Sequence, residues 1–396
     1  MNPGILSGLR VLDFTWVLAG PFATRILADF GAEVIKVQSP KTAQGVESNL
    51  TGYFNTWNRN KRSITLDMGH GEAKEIVLRL TRISDVVIEN FSPRVMSNWG
   101  LSYENLKKVK PDLIMASISG MGQTGPWRDF VALAPTIHAL SGLTYLTSFL
   151  PDSPIGVGFA HADFIAGLYA AFGVLAALEH RDRTGQGQFI DLSEYETMCS
   201  LLGPTFLDSG LHHKEILPQG NHPEYLQAAP YGCYPCSGKD KWCVIAVFSE
   251  AEWHALCKVL GHPSWIQEER FATLVQRKKH VGELDQRIRQ WTTQHTREEV
   301  VTLFQEAGIP AGAVQDADDL AKDPQLKARE FFIPLEHPTL GPTIADRSPI
   351  RFKDNMARIS WKAAPLLGED NQYVFRELLG FGEDELSEYI KKGIIG

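Results

Sequence analysis

The chain is too long for a single core and too acidic for bulk nucleic-acid binding. Its 396 residues, of which 43% are hydrophobic and 22% are charged, predict a globular protein of about two domains. The formal net charge of −8 leaves room only for a local basic pocket that holds a small polyanion. The N-terminal residues lack a secretory-signal pattern and the five cysteines are scattered, so a cytoplasmic location is expected.

Strand and helix patterns alternate along the first 120 residues. Short β-branched runs bounded by turn residues predict strands, and amphipathic runs between them predict helices. The predicted strands cover 9–14, 33–37, 62–68, 85–90 and 112–120, and the predicted helices cover 20–31, 71–83 and 102–109. This alternation predicts an α/β fold with a Rossmann-like, doubly wound parallel sheet, whose ligands would lie at the carboxyl ends of the strands.

A long apolar run follows this region. Residues 164–178 carry no charge and come directly after Asp163, and they are too few for the roughly 20 residues of a membrane span. We therefore expect a buried helix here, followed within 181–193 by a Gly-punctuated turn that leads into a strand, and then by a helix that begins at Glu194.

The pattern changes again from about residue 225. Residues 231–248 predict an antiparallel hairpin, and amphipathic helices are predicted for 250–260, 281–294 and the run from 297 to Gly308. The predicted domains are 1–200 as a large Rossmann-like domain, 225–330 as a small α+β domain, and 335–396 as a C-terminal segment with helices over 371–381 and 383–393 that returns to the large domain.

Several common site types do not fit the sequence. The turn after the first strand reads TWVLAGP rather than G-x-G-x-x-G, and the second strand runs into Gln38 rather than an acidic residue, which argues against a dinucleotide. The histidines lack metal-ligand spacing, and G-x-S-x-G does not occur. The C-x-x-C motif at 233–236 lies in a predicted hairpin rather than at a helix start. No metal, redox or permanently bound cofactor is therefore expected.

Cationic side chains recur near the ligand edge of the predicted sheet. Lys36 ends the second strand, Arg59, Lys61 and Arg62 lie around the start of the third, and Arg94 follows the fourth. Each one alone is typical of a solvated surface. Together, in an acidic protein, they would suit the phosphate groups of one ligand.

The position of Asp163 before the apolar run allows two interpretations. A short oxygen acceptor there can cap a helix by accepting hydrogen bonds from the N–H groups of the first turn. The same N–H groups and the helix dipole can keep a carboxylate ionised while it faces a cleft, as a carboxylate nucleophile requires. The residue types alone leave both alternatives open.

Several longer motifs, taken in order, carry a family resemblance. They read LSGLRVLDFTWVLAGPFATRILADFGAEVIKV, NRNKRSITLDM, DVVIENFSP, ISGMGQTGPW, DFIAGLYAAFGVLAALEHRDRTGQGQFIDLS and GIPAGAV. Over nearly its whole length the chain resembles the family III CoA-transferases of the formyl-CoA and carnitine CoA-transferase type. Benzylsuccinate-type CoA-transferases are the family members we compare it with for substrate choice.

The resemblance implies that Asp163 is the nucleophile. Its carboxylate would form an anhydride with the acyl group of an acyl-CoA and then an aspartyl-CoA thioester, from which a second acid takes the CoA. The acyl-CoA is then a substrate, and no resident cofactor is needed. The resemblance also implies an interlocked homodimer, with which extended segments around 200–225 and 325–350 would be compatible.

Departures from the formyl-CoA pattern suggest a different acid. Leu18, which the resemblance makes a candidate for CoA binding, stands where those enzymes have Gln. Ser39 and Asn98 stand where they have Arg, and Glu194 replaces a methionine of the site. A Tyr-Glu pair is replaced by Ala134 and Pro135. Together with Trp16, these changes predict a roomier and more apolar acyl pocket, so we expect an aromatic or branched acceptor acid, with succinyl-CoA as a candidate donor.

Two further functions remain open from the sequence. The same fold hosts α-methylacyl-CoA racemases, in which the resemblance pairs the Asp with a His in a Gly-His-Asp segment. Leu133 and Ala134 stand there in this chain, although His138 and His161 lie nearby. An inactive CoA-binding subunit of a hetero-oligomer is the second alternative, and the intact Asp163 argues against it.

Overall fold

The computed structural model describes residues 4–213, 215–221, 226–352 and 361–396. Its strands are short and mostly rich in β-branched residues, as the sequence pattern predicts. They are β1 Arg10–Asp13, β2 Glu33–Gln38, β3 Arg62–Thr65, β4 Val86–Glu89, β5 Ile114–Ser119, β6 Phe189–Ser193, β7 Tyr231–Pro235, β8 Trp242–Ala246, β9 Ala311–Ala313, β10 Phe332–His337 and β11 Gly341–Asp346.

The helices fall mostly between these strands. They are α1 Ala19–Asp29, α2 Gly52–Asn58, α3 Ala73–Arg82, α4 Val95–Asn98, α5 Tyr103–Val109, α6 Ala134–Leu140, α7 Leu143–Leu146, α8 His161–Thr184, α9 Glu194–Leu201, α10 Gly203–His212, α11 Glu250–Val259, α12 Leu274–Lys279, α13 Val281–Thr292, α14 Arg297–Glu306, α15 Ala317–Lys322, α16 Pro324–Ala328 and α17 Glu383–Lys391. Short 3₁₀-helices cover Gly45–Glu47, Ser264–Gln267 and Glu269–Phe271, and Gln372–Leu378 is a π-helix.

Six strands form one parallel sheet in the order β3-β2-β1-β4-β5-β6. This confirms the predicted α/β fold with a parallel sheet. The strand order reverses between β1 and β4, and Asp13 at the end of β1 is in register with Lys36 of β2 and Ile88 of β4. Open parallel sheets bind ligands in the crevice beyond the strand ends at such a reversal.

Helices cover both faces of the sheet. Successive strand residues point to opposite faces, so Leu12 packs with α3, α5 and α17 on one face while Val11 packs with α1 and α8 on the other. Both residues are fully buried. Parallel strands are stable in this arrangement because each side chain row is shielded from water.

The chain divides into two compact units. The first comprises Met1–Thr144, Gly156–Glu215 and Lys327–Gly396 and contains the parallel sheet and the β10–β11 hairpin. The second comprises Tyr145–Ile155 and Ile216–Leu326. In it, antiparallel pairing of β7 with β8 confirms the hairpin predicted from the sequence.

The apolar run forms a longer and less buried helix than the sequence predicts. α8 extends over 24 residues, beyond both ends of the uncharged run, and by length and composition alone the whole helix is long and apolar enough to cross a membrane. Ala166, Ala170 and Val174 are buried in the core on the sheet, whereas Leu168 and Phe172 are exposed. One face of α8 therefore packs on the sheet in the core of the first unit, and the opposite face is apolar and exposed.

The segments predicted to be extended differ from that prediction in part. Residues 203–212 form the helix α10, and residues 332–346 form a two-stranded antiparallel hairpin. Residues 222–225 lie outside the described part of the chain.

Candidate active site

Asp163 lies inside the first turn of α8. The residue before the helix is Ala160, and no side chain of the N-cap residue accepts a hydrogen bond there. The N–H group of Ala162 instead donates to Nε2 of His138, 3.1 Å away on α6. Burial and the neighbouring His161 lower the pKa of His138, which keeps this nitrogen free to accept. Asp163 is therefore not the N-cap residue, although its carboxylate accepts a hydrogen bond from an N–H of the first turn, its own.

Two helix N-termini meet at the Asp163 carboxylate. Burial raises its pKa to about 6, and hydrogen bonds from its own N–H and from the N–H of Ala19 oppose this rise. Ala19 is the first residue of α1, so dipoles of α1 and α8 both favour the ionised form. At neutral pH the carboxylate is therefore mostly ionised although half-buried.

The start of α1 reaches Asp163 because α1 and α8 pack closely at Gly167. At Gly167 of α8, a Cβ atom would lie 2.8 Å from the carbonyl oxygen of Ala19 and 2.9 Å from the ring of Phe22. Glycine lets the backbones of α1 and α8 approach to a distance that a side chain would prevent.

The turn between β1 and α1 is strained. Val17 has a φ of 60°, in the left-handed region that β-branched residues avoid. Its N–H donates to Oε1 of Glu47 at 2.6 Å, and the N–H of Trp16 donates to Oδ1 of Asn90 at 2.8 Å. Strain held in place by such contacts is typical of functional sites. Leu18, which the sequence marked for CoA binding, is buried and starts α1 from this turn.

A buried charge network supports the same turn. Asp13 accepts hydrogen bonds from the N–H of Thr15, from the hydroxyl of Thr24 and from Nζ of Lys61, at 2.8 to 3.0 Å. Lys36 donates to the carbonyl of Thr15 at 2.6 Å. Burial would raise the pKa of Asp13, but the two lysines lower it overall. Lys61 thus meets a carboxylate of the chain and is closed off from solvent.

The predicted arginines also meet carboxylates. Arg59 is fully buried and bonds Asp29 at 2.6 Å and Asp346 at 2.7 Å. Arg62 bonds Glu33 at 2.9 Å and Asp370 at 2.8 Å. These side chains tie distant segments to the sheet rather than facing an open ligand edge. The structure does not bring them together as one free cationic patch.

Arg94 differs from the other two arginines because it is exposed. Its side chain is 65% exposed and pairs with Asp129 at 2.5 Å. A cation in this position can exchange its carboxylate partner for a ligand at low cost, since exposed ion pairs contribute little free energy.

A cleft of about 450 Å³ opens at the carboxyl ends of β1, β2 and β3. The residues that line it include Lys36, Ser39, Lys41, Thr42, Glu47, Asp67 and the aromatic side chains Phe14, Trp16, Phe91 and Trp99. Trp16, predicted for the acyl pocket, lies here. Lys41, which sequence reasoning missed, has a 72% exposed side chain 2.6 Å from Asp67. An aromatic crevice with an exposed cation at its mouth suits a nucleotide-like polyanion.

A second cavity of about 320 Å³ lies beside the start of α8. It is lined by Ala134, Pro135 and His138 of α6 and by residues 156–160. Ala134 is buried in it as predicted for a pocket residue, whereas Leu133 is 69% exposed and does not line it. The lining is largely apolar, so this cavity favours an acyl chain over a phosphate.

The charge of Asp163 contributes to the pKa shifts of two further side chains. Burial and Asp163 together raise the pKa of Glu194 to about 8. Burial, Asp163 and Glu47 raise the pKa of Tyr53 to about 12. Glu194 was marked by sequence as a pocket residue, but Tyr53 was missed because a tyrosine in a helix carries no signal of its own. Perturbed pKa values that cluster in one place are typical of functional sites.

Comparisons with known proteins show the family of this chain. The sequence pattern of CoA-transferase family III matches residues 6–371. A succinyl-CoA–D-citramalate CoA-transferase of Chloroflexus aurantiacus is 35% identical over 407 residues, covering 99% of this chain and 98% of that protein. A formyl-CoA:oxalate CoA-transferase of Afipia carboxidovorans is 32% identical over 421 residues, covering 99% and 97%.

The fold is also found in a solved structure. A CAIB/BAIF family protein from Brucella suis has a TM-score of 0.87 and 33% sequence identity, over 95% of this chain and 100% of that chain. The similarity therefore extends through both compact units.

Proposed function

Because this chain belongs to CoA-transferase family III, we propose that it moves CoA from an acyl-CoA donor to a carboxylic acid through covalent intermediates on Asp163. The observation that carries the proposal is an ionised carboxylate held by the N–H groups of two helices, next to an apolar cavity. Such a carboxylate is a nucleophile that needs no separate base.

The exchange balances without any redox or metal partner. The Asp163 carboxylate attacks the donor thioester, the C–S bond breaks, and CoA leaves as a thiolate while a mixed anhydride forms. The thiolate then attacks the aspartyl carbonyl and releases the donor acid as a carboxylate. The acceptor carboxylate attacks the resulting aspartyl-CoA thioester, which expels the CoA thiolate and leaves a second mixed anhydride. The thiolate then attacks the acceptor carbonyl of that anhydride, which forms the acceptor CoA ester and releases Asp163 as a carboxylate.

We assign CoA to the cleft at the sheet edge. Aromatic side chains such as Trp16 and Phe91 line it, and Lys41 and Arg94 supply exposed cations for the phosphates. Lys36, a buried residue in the lining of this cleft, contributes further positive charge. Arg59, Lys61 and Arg62, whose charges carboxylates of the chain already meet, act in this proposal as structural cations.

The acyl group is assigned to the cavity beside α6. Its apolar lining around Ala134 supports an acid larger than formate or oxalate. The two relatives named above act on D-citramalate and on oxalate, which are dicarboxylic acids. We propose an aromatic or branched acid as the acceptor and succinyl-CoA as the donor.

Two helices present apolar side chains that the single chain leaves exposed. Leu168 and Phe172 of α8 and Leu207 and Leu211 of α10 are between 50% and 71% exposed. We propose that these faces pack in a cytoplasmic homodimer, interlocked as the family resemblance implies, since exposed apolar patches of this kind mark protein interfaces. Contact with a second chain would account for the hydropathy of α8 without a membrane.

The racemase alternative lacks the histidine that the family resemblance pairs with the Asp. Nε2 of His138 is engaged with the N–H of Ala162, and neither Leu133 nor Ala134 can carry a proton. The transferase and the racemase differ in a direct readout, because only the transferase forms a covalent adduct on Asp163.

The test is intact-protein mass spectrometry after incubation with succinyl-CoA, acetyl-CoA or an aromatic acyl-CoA, with hydroxylamine trapping. We expect an adduct on Asp163 and a loss of more than about 10³-fold in kcat for Asp163→Asn. Asp182→Asn, an exposed change on the same helix, serves as the matched control and should leave both unchanged. Absence of an adduct with every donor, together with exchange of the substrate α-proton, would overturn the proposal in favour of racemisation.

A further inference from the structure

The turn that precedes α1 is held by side chains from distant segments. Nζ of Lys36, on β2, donates to the carbonyl oxygen of Thr15 at 2.6 Å. The side chain of Asn90, which follows β4, accepts from the N–H of Trp16 at 2.8 Å and donates to the carbonyl oxygen of Trp16 at 3.0 Å. The next residue, Val17, has the strained φ of 60°.

Glu47 holds the strained residue itself. It ends the 3₁₀-helix Gly45–Glu47, and its Oε1 accepts the N–H of Val17 at 2.6 Å. Its side chain is 13% exposed, and its Oε2 lies 3.9 Å from Nζ of Lys36, so both carboxylate oxygens have a partner. Hydrogen bonds to a carboxylate are charge-assisted and therefore strong. This contact can keep Val17 in a conformation that a β-branched residue otherwise avoids.

CoA binding does not account for a carboxylate at this place. Glu47 lines the cleft that we assign to CoA, as do Lys36 and Lys41. A carboxylate repels phosphate groups, so this side chain weakens the attraction of the cleft for a polyanion. The hydrogen bond to Val17 gives a different reason for its position.

The turn packs directly on the start of α1. At Gly20, in the first turn of α1, a Cβ atom would lie 2.4 Å from the side chain of Thr15, so helix and turn are in close contact. Ala19 directly precedes Gly20, and its N–H donates to the carboxylate of Asp163. A movement of the turn at Val17 would therefore displace a hydrogen-bond donor of the nucleophile.

We propose that Glu47 is a positioning residue, which holds the turn so that the N–H of Ala19 reaches the carboxylate of Asp163. The inference rests on the proposed CoA transfer and adds a residue that acts through the backbone without touching the reacting atoms. A nucleophile has to be held in the geometry of attack, and a displacement of about 1 Å can lower the rate about a hundredfold. Glu47 thus contributes to kcat rather than to the binding of CoA.

The experiment follows the exchange of a labelled acid into its own CoA ester, which requires no knowledge of the acceptor. Three pairs are tried, namely succinate with succinyl-CoA, acetate with acetyl-CoA and 3-phenylpropionate with its CoA ester, and the pair that the wild type exchanges fastest is used. We compare Glu47→Ala, Glu47→Gln and the control Glu104→Ala, which changes an exposed glutamate on α5. Circular dichroism and thermal unfolding show whether each variant is folded.

The two constants should respond differently. In Glu47→Ala we expect kcat to fall about ten- to a hundredfold, while the KM for the CoA ester stays within about twofold or falls. Glu47→Gln keeps an acceptor for the N–H of Val17 and should retain most of the kcat. Glu104→Ala should leave both constants unchanged.

A second substitution tests the turn directly. Glycine adopts a φ near 60° without strain, so Val17→Gly removes the need for an outside contact at this residue. Adding Val17→Gly to Glu47→Ala should therefore raise kcat at least about fivefold above that of Glu47→Ala alone. No such recovery is expected if the charge of Glu47 acts on the reaction. Where Glu47→Ala alone does not fold, Val17→Gly with and without Glu47→Ala should have similar kcat values.

Three results would overturn the inference: an unchanged kcat in Glu47→Ala, an equal loss in Glu47→Gln, or no recovery on adding Val17→Gly. A tenfold or larger loss when Glu47→Ala is added to Val17→Gly would do the same. If the wild type exchanges label and forms the adduct on Asp163, such results remove only this inference. If the wild type exchanges none of the three pairs and forms no adduct, the proposed function fails as well.

Discussion

Buried charges of the first unit fall into two groups with opposite surroundings. Around the turn after β1, each cation meets acceptors: Lys61 bonds Asp13 at 3.0 Å, and Arg59 bonds Asp29 at 2.6 Å. Around the start of α8, by contrast, Asp163 and Glu194 are two carboxyl groups without any cation among the described residues. The cations of the first group are paired with carboxylates, whereas the carboxyl groups of the second have no cation beside them.

The paired charges are expected to stabilise the fold, whereas the unpaired carboxyl groups mark the candidate functional site. A satisfied network holds backbone segments in one arrangement, here the strained Val17 turn and the first N–H of α1. An unsatisfied pair raises free energy unless a ligand completes it, and such pairs are typical of functional sites. The scaffold thus delivers the N–H of Ala19 to the Asp163 carboxylate as a hydrogen-bond donor.

The largest effect on stability should come from breaking the satisfied network. Asp13→Asn leaves the buried ammonium group of Lys61 without its carboxylate partner, whereas Lys36 keeps Glu47 at 3.9 Å, so we expect a loss of about 3–5 kcal/mol in the free energy of unfolding. Urea denaturation measures it. Asp318→Asn, which removes an exposed ion pair with Lys322, is the control and should cost less than about 1 kcal/mol. Similar losses in both variants would show that the Asp13 network is not a scaffold.

Substitution in the unpaired group should increase the stability at high pH, in contrast to the loss expected for Asp13→Asn. The folded-state pKa of Glu194 lies above its ordinary value, so its contribution to stability is fully present below pH 4.5 and is lost as pH rises through about 8. Glu194→Gln should therefore become more stable than the wild type as pH rises, by on the order of a few kcal/mol at pH 9. Thermal unfolding between pH 5 and pH 9 measures the gap.

A double substitution tests whether the charge of Asp163 contributes to this stability difference. In an Asp163→Asn background the like charge is gone, so the stability gap that the Glu194→Gln substitution produces should shrink. Glu196→Gln, an exposed change on α9, should give a flat difference across the same pH range. A gap that stays constant with pH would mean that Glu194 is not held neutral.

The two regions also differ in how far sequence could predict them. The parallel sheet follows from alternating strand and helix patterns, and Asp163 stands out because a lone charge precedes an apolar run. The partners of Arg59 and Arg62 lie about 290 to 310 positions away, at Asp346 and Asp370, and no local pattern reveals such pairs. The clustered cations therefore suggested a free phosphate site instead.

Helix α8 shows the same limitation on a smaller scale. A capping rule that uses only neighbouring residues assigns the cap to Asp163, but the acceptor comes from His138, 24 positions upstream. The helix can thus begin before the apolar run, and Asp163 falls in its first turn. Lys41 was missed for a related reason, since a single lysine in a loop has meaning only once the cleft around it is known.

The smallest effect should arise at the mouth of that cleft. Lys41→Ala removes an exposed cation that lies 2.6 Å from Asp67, so stability should hardly change, whereas the KM for CoA esters should rise about two- to fivefold. The rise should shrink at high salt, because an exposed cation acts on phosphates through screened charge. Lys108→Ala on α5, an exposed lysine outside the cleft, should leave the KM unchanged. An unchanged KM in Lys41→Ala would move the CoA phosphates away from this edge, and the exposed Arg94 would then be the next cation to substitute.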